Sequence, residues 1–139
     1  MEKIEWDNQF NINISEIDHQ HQILVKTLND AQFTLAEDES LENLSSITED
    51  LLSYALYHFD TEEDLMSKYK YDETKPDEYN QHIKQHRDFS SKVVEIRESI
   101  KNGKMIHSEE LIDFLKNWLI NHINKTDKKL GIYIDEQKV

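Results

Sequence analysis

The sequence predicts an all-α protein: an up-down-up-down four-helix bundle preceded by an extended N-terminal arm. Three observations predict it. The 139 residues contain two glycines and one proline, too few punctuating residues for a sandwich or barrel rich in tight turns. Apolar residues recur at alternating steps of three and four over four separate stretches, the pattern of helices with one buried face. Short connections join these stretches, which makes consecutive helices antiparallel neighbours. At this length one domain, 1–139, with a sizeable core is expected.

Each element can be justified in turn. Residues 1–14 carry Ile4, Trp6, Phe10, Ile12 and Ile14 between polar residues. A lone strand would have nothing to pair with, so an extended arm laid over the bundle is expected. The first helix, 15–37, starts at Ser15 as N-cap, with Glu16 and Asp18 in its first turn. Its stripe is Ile17, Leu24, Leu28, Ala31 and Leu35, with His21 filling the gap. The second, 41–69, follows Ser40 and runs through Leu44, Ile47, Leu51, Tyr54 and Leu65. The stretch "YKYDETKPDEY" breaks the pattern. Pro76 suits the first turn of the third helix, 76–102, whose stripe is Tyr79, Phe89, Val93, Ile96 and Ile100 before Gly103. Ser108 opens the fourth, 109–130, with Leu111, Leu115, Trp118 and Leu119, and Gly131 is read as its end.

Composition narrows the function classes. The formal charge is −13, and so acidic a surface repels phosphate backbones, which argues against nucleic acid as a partner. No cysteine is present, excluding disulfides, thiolate metal sites and thiol catalysis. The start, MEKIEWDNQF, lacks the pattern of a signal peptide. No apolar run approaches the ~18 residues of a membrane span. A cytoplasmic protein without membrane association is the expectation. The oligomeric state stays open, a monomer included.

The informative residues are polar ones inside the apolar stripes. His21 lies between Ile17 and Leu24. His58 and Glu62 lie between Leu51 and Leu65. His82 and His86 continue the rhythm of Tyr79 and Phe89. His122 follows Trp118 by four, and Asp127 continues a neighbouring stripe through Ile123 and Leu130. A buried polar group without a partner costs about 1–3 kcal/mol, so these seven would consume much of a typical ~5–15 kcal/mol stability. A metal centre compensates them together. Residues four apart sit about 40° and ~6 Å from one another, so His58 with Glu62, and His82 with His86, can reach one ion. His122 and Asp127, five apart, are about 140° apart on an ideal helix. They need a longer reach, a carboxylate spanning two ions, or a local helix irregularity. Seven ligands exceed what one transition ion takes, so two ions sharing carboxylates are indicated. Imidazole plus carboxylate suits iron, manganese or zinc, and carboxylate bridging with an incomplete shell favours non-haem iron. His19 and His107 lie off the stripes and, with Glu63 and Asp64, are expected to face solvent.

The motifs "IDHQH" (17–21), "HFDTEE" (58–63), "HIKQH" (82–86) and "WLINHINKTD" (118–127), in order and one per helix, closely resemble the hemerythrins, especially their bacterial single-domain form. The resemblance implies a di-iron centre inside the bundle. His82, His86 and His122 would hold one iron, and His21 and His58 the other. Glu62, Asp127 and an oxo or hydroxo group would bridge them. The second iron would keep one open position for dioxygen. Leu24, Phe59, Trp118, Leu119 and Ile123 match the apolar residues that keep water from it. Two departures stand out. "KYKYDETKPDEY" lengthens the usual interval between Glu62 and His82, and Leu130 stands where the family commonly has a tyrosine three residues after the bridging aspartate.

The function this implies is reversible dioxygen binding for storage, delivery or scavenging, without enzymatic activity. The alternatives are a di-iron enzyme, such as a peroxidase or nitric-oxide reductase, and an oxygen or redox sensor acting through a separate partner. Ferritin-type oxidases use mostly carboxylates and Glu-x-x-His pairs, whereas five imidazoles and two carboxylates occur here. Haem between paired histidines leaves Glu62 and Asp127 unexplained. A metal-free acidic bundle leaves the buried polar groups uncompensated.

Overall fold

The computed structural model describes residues 3–104 and 106–138. The first two residues of the predicted arm, Met105 and Val139 lie outside them. Helix α1 spans Ser15–Glu37 and α2 Leu41–Lys68. A single turn, α3, covers Tyr71–Thr74, and α4 spans Pro76–Lys101. The last rod runs as α5, Ser108–Asn121, then a π-helical segment, His122–Asp127, then α6, Lys128–Gln137. No strand occurs among the described residues. Helix α2 packs against α1 and α4, and α1 packs against α5. None of the described helices is long and apolar enough to cross a membrane.

Local chemistry explains most boundaries. Ser40 caps α2 by accepting from the Asn43 N–H at 3.1 Å. Lys70 adopts a left-handed conformation, φ 58°, and ends the run into α3. Pro76 occupies the first turn of α4, and Gly103, φ +79°, follows its end, where the left-handed backbone favours glycine. Ser15 does not cap α1, whose flanking residue Ile14 makes no side-chain bond. Instead Asp18 accepts the backbone N–H groups of Ile12 (2.8 Å) and Asn13 (3.2 Å). Ser108 likewise opens α5 without capping it; its N–H donates to Glu39 at 2.9 Å.

The arm is extended with one 3-10 turn, Asn8–Phe10. Ile4, Phe10, Ile12 and Ile14 are buried, and Asn29 of α1 bonds both the N–H and the carbonyl of Ile4 at 2.9 Å. The arm also explains why the last helix passes Gly131. A Cβ there would stand 2.6 Å from the Ile12 carbonyl oxygen, so glycine permits the arm to cross the helix rather than ending it.

The core divides in two. One apolar cluster gathers Leu24, Leu28, Leu51, Phe59, Phe89, Leu115, Leu119 and Ile123 with their neighbours. A second gathers Ile12, Ile14, Ile17, Met66, Tyr71, Ile83, Leu130, Tyr133 and Ile134. Tyr71 belongs to the lengthened interval before His82. That interval therefore contributes a core side chain at this end of the bundle. The Tyr133 hydroxyl donates to the Tyr69 carbonyl at 2.7 Å, tying the same interval to α6.

Gly131→Ala tests the arm's placement. In a free helix interior, alanine would gain about 0.5–1 kcal/mol over glycine. Against the Ile12 backbone it is expected to lose about 1–3 kcal/mol instead, read from urea unfolding. A more stable alanine variant would show that the arm does not cross there.

Candidate metal centre

Each helix passes between the two apolar clusters through its polar residues. His21, Glu62, His82 and Asp127 are fully buried, and His58, His86 and His122 are at most 3% exposed. Their inner atoms fall into two groups whose members lie within 4.8 Å of one another. Glu62, His82, His86, His122 and Asp127 form one; His21, His58, Glu62 and Asp127 form the other. The two carboxylates belong to both groups.

Of the three arrangements the spacing left open, the π-helical segment supplies the local irregularity. Its i→i+5 hydrogen bonding widens one turn. His122 and Asp127, its first and last residues, thereby reach the same volume, with His122 Nε2 3.0 Å from Asp127 Oδ1.

The short separations in this layer do not satisfy its polar atoms. Asp127 Oδ2 lies 2.9 Å from His21 Nε2, and Asp127 Oδ1 3.0 Å from His82 Nε2. Glu62 Oε1 lies 3.1 Å from His86 Nε2 and 3.3 Å from His58 Nε2. Yet both oxygens of Glu62 and of Asp127, and Nε2 of His21, His58 and His82, are buried without a properly directed hydrogen bond. Lone pairs that converge on a common space from several directions suit a cation better than they suit one another.

Outer contacts fix the rings. The Thr61 hydroxyl donates to the Tyr57 carbonyl and accepts from Gln20 Nε2. This turns the Gln20 oxygen toward His58 Nδ1, 2.7 Å away. The Gln85 oxygen accepts from Thr126 Oγ1 at 2.8 Å and faces His122 Nδ1 at 2.7 Å. Glu63 Oε2 faces His86 Nδ1 at 3.0 Å. Facing three acceptors, these Nδ1 atoms carry protons, which leaves Nε2 of each ring turned inward as the atom available to a metal. Phe59 stacks on His86, centroids 3.9 Å apart, and Trp118 on His122 at 4.4 Å. Glu63, expected to face solvent, is 35% exposed and accepts from His86 Nδ1. Periodicity also missed Gln20 and Gln85. Each precedes an inward histidine, and a residue one step from such a histidine points about 100° away; Gln81 precedes His82 in the same way but is exposed, so the pairing alone does not mark a support. His19 and His107 are exposed, as expected. Leu130 is fully buried and brings no hydroxyl to Asp127.

Burial and charge compete at every titratable group in the layer. Burial drives His58 down to about 4 despite Glu62 and also holds His122 below its usual value. At His82 burial opposes the charge, but the Asp127 and Glu62 carboxylates prevail and carry it up to about 10. His21, beside Asp127, and His86, beside Glu62 and Glu63, are also raised against burial. Glu62 is held at about 2 because the imidazoles of His58, His82 and His86 outweigh burial and the nearby Asp127. His122, His21 and His82 similarly hold Asp127 well below the usual carboxylate range.

Beside this layer lies an apolar cavity of about 20 Å³, bounded by His58 and His122. Leu24, Phe59, Trp118 and Leu119 line it, and Leu28, Leu51, Ala55, Phe89 and Leu115 complete it. Ile123 is buried in the adjoining core but does not line the cavity. The volume exceeds the ~10–15 Å³ that a small molecule such as water needs, but the apolar walls offer water few partners.

A four-helix bundle crossed by five imidazoles and two shared carboxylates defines a class of protein: one that binds cations between its helices. Comparison with known proteins identifies the family. The hemerythrin HHE cation binding domain matches residues 13–131, and the chain belongs to the hemerythrin family. It is 34% identical over 128 residues to a myohemerythrin of Theromyzon tessulatum, covering 92% of this chain and 91% of that one. It is 32% identical over 130 residues to a bacteriohemerythrin of Pseudomonas paraeruginosa, covering 91% and 78%. A wild-type hemerythrin crystal structure superposes with a TM-score of 0.82 at 25% identity, over 92% of this chain and 95% of that one. A mutant hemerythrin gives 0.84 at 24%, over 96% and 98%, and so shares the fold.

The electrostatics predict proton release on metal binding. At neutral pH the metal-free chain carries a proton on His82, whose folded value of about 10 lies above the solution pH. A metal at that nitrogen must displace it. Affinity is therefore expected to rise with pH by about tenfold per unit for that proton, levelling off above about pH 10. Competition with a chelator of known proton affinities between pH 6.5 and 8.5 measures it. An affinity constant over that range would contradict the proton assigned to His82.

Proposed function

We propose that this chain binds dioxygen reversibly at a non-haem di-iron centre, for storage, delivery or scavenging of oxygen. The observation that carries this reading is the pair of overlapping ligand groups, one of five residues and one of four, sharing Glu62 and Asp127. His82, His86 and His122 would hold one iron, and His21 and His58 the other. Both carboxylates would bridge them. Membership of the hemerythrin family supports iron as the metal. When bound, the two irons supply the electrons and the coordination site that reversible dioxygen binding needs.

The chain's own contribution is position and dryness. The two-imidazole group has one ligand fewer, and the apolar cavity meets the layer at His58 of that group and at His122 of the other. Leu24, Phe59, Trp118 and Leu119 give a diatomic gas an apolar space there while disfavouring water and the protons it carries. Gln20, Gln85 and Glu63 hold three rings with Nε2 inward, so little reorganisation accompanies metal loading. Apart from the imidazoles of His58 and His122, every side chain lining the cavity is apolar, which suits an uncharged diatomic guest.

Iron content per chain, with optical spectra before dioxygen is admitted, in its presence and after its removal, tests the reading. Two irons per chain and a dioxygen-dependent band that disappears on removal are expected. Two irons that oxidise once and stay oxidised would point to an enzyme or a sensor. A mononuclear or iron-free product would reject the di-iron centre.

A further inference from the structure

The three ring supports differ in charge. His58 and His122 each face a neutral amide oxygen, from Gln20 and Gln85. His86 faces a carboxylate, Glu63. Nδ1 of His21 and His82 has no hydrogen-bond partner among the described residues. The one anionic support therefore falls on one group of ligands, the five-residue group that contains His86. Glu63 and Phe59 act on His86 together. The ring lies flat on Phe59, with an interplanar angle of 11°, while the carboxylate fixes its rotation, so Nε2 points inward. A carboxylate accepting from Nδ1–H also raises electron density at Nε2, whereas an amide does so less.

We propose that Glu63 is a positioning residue that widens the inequality of the two metal sites. Through His86 it strengthens the donor set of the three-imidazole site, so that the ion there holds its ferric state more firmly than the ion at His21 and His58. This inference rests on the di-iron reading and deepens it. It assigns a task to a residue outside the seven ligands.

Glu63→Gln and Glu63→Ala test it in the iron-loaded chain, by iron content, redox titration followed optically, and zinc competition with a chelator. Glutamine still accepts from Nδ1–H but removes the charge. E63Q is expected to keep two irons and near-normal zinc affinity. It should shift the ferric-to-ferrous ratio of the more firmly ferric iron, the second to be reduced, toward ferrous by about tenfold, a midpoint rise of about 59 mV for one electron. E63A also frees the ring and is expected to lose about 10–100-fold in zinc affinity. Adding Gln85→Glu to E63Q returns a carboxylate to the same site by way of His122 and should restore the potential. Unchanged potentials in E63Q would overturn the proposal, as would a double variant that stays shifted. A parent chain that takes up fewer than two irons would overturn the di-iron reading, and this inference with it; its iron content alone tells that failure apart.

Discussion

Two carboxylates, Glu62 and Asp127, sit where water cannot reach them, and the rest of the molecule is arranged around that fact. An isolated buried charge costs several kcal/mol even after relaxation. Here the imidazoles compensate it, drawn from all four long rods of the bundle: His21 from α1, His58 from α2, His82 and His86 from α4, and His122 at the start of the π segment. No helix can leave the bundle without exposing or orphaning part of this layer. The apolar clusters on either side exclude solvent, which makes the compensation both necessary and strong.

The supports for the rings run from helix to helix. Gln20 of α1 holds His58 of α2. Glu63 of α2 holds His86 of α4. Gln85 of α4 holds His122 at the end of α5. Each long helix thus sets the ring orientation of the next one along the chain. Nothing in the described residues closes the circuit onto His21. Ligand geometry therefore depends on the relative rotation of neighbouring helices, and the packing of the bundle and the geometry of the centre are one problem.

Much of this was legible in the sequence, and the limits have physical causes. Periodicity gave the four rods, and the interruption of an apolar stripe by His21, His58, Glu62, His82, His86, His122 and Asp127 marked the residues that the structure brings together. Periodicity describes one helix at a time. Glu63, Gln20 and Gln85 lie a step off the stripe and act across to another helix, so their partners appear only once the helices are packed. Gly131 was read as a stop because glycine commonly follows a helix; the reason for it here is the arm, a contact more than a hundred positions away in sequence. Ser15 and Ser108 have the composition of caps, but Asp18 and Glu39 provide the bonds near those ends. Tyr71 lies in the stretch that breaks the apolar pattern, and only the fold shows that it faces inward.

The wide turn at 122–127 has a consequence beyond the ligands it aligns. Inward residues of the last rod advance as Leu115, Leu119, Ile123 and Asp127, steps of four that would creep around a regular helix by about 40° each. One extra residue in the turn absorbs the accumulated lag and resets the phase of everything after it. Leu130, Gly131 and Ile134 then meet the arm and the second apolar cluster. Shortening the turn by one residue would rotate the C-terminal segment by about 100° and present its greasy side to water. A single count of residues thus sets both the azimuth of Asp127 and the seating of α6, and neither can drift without the other.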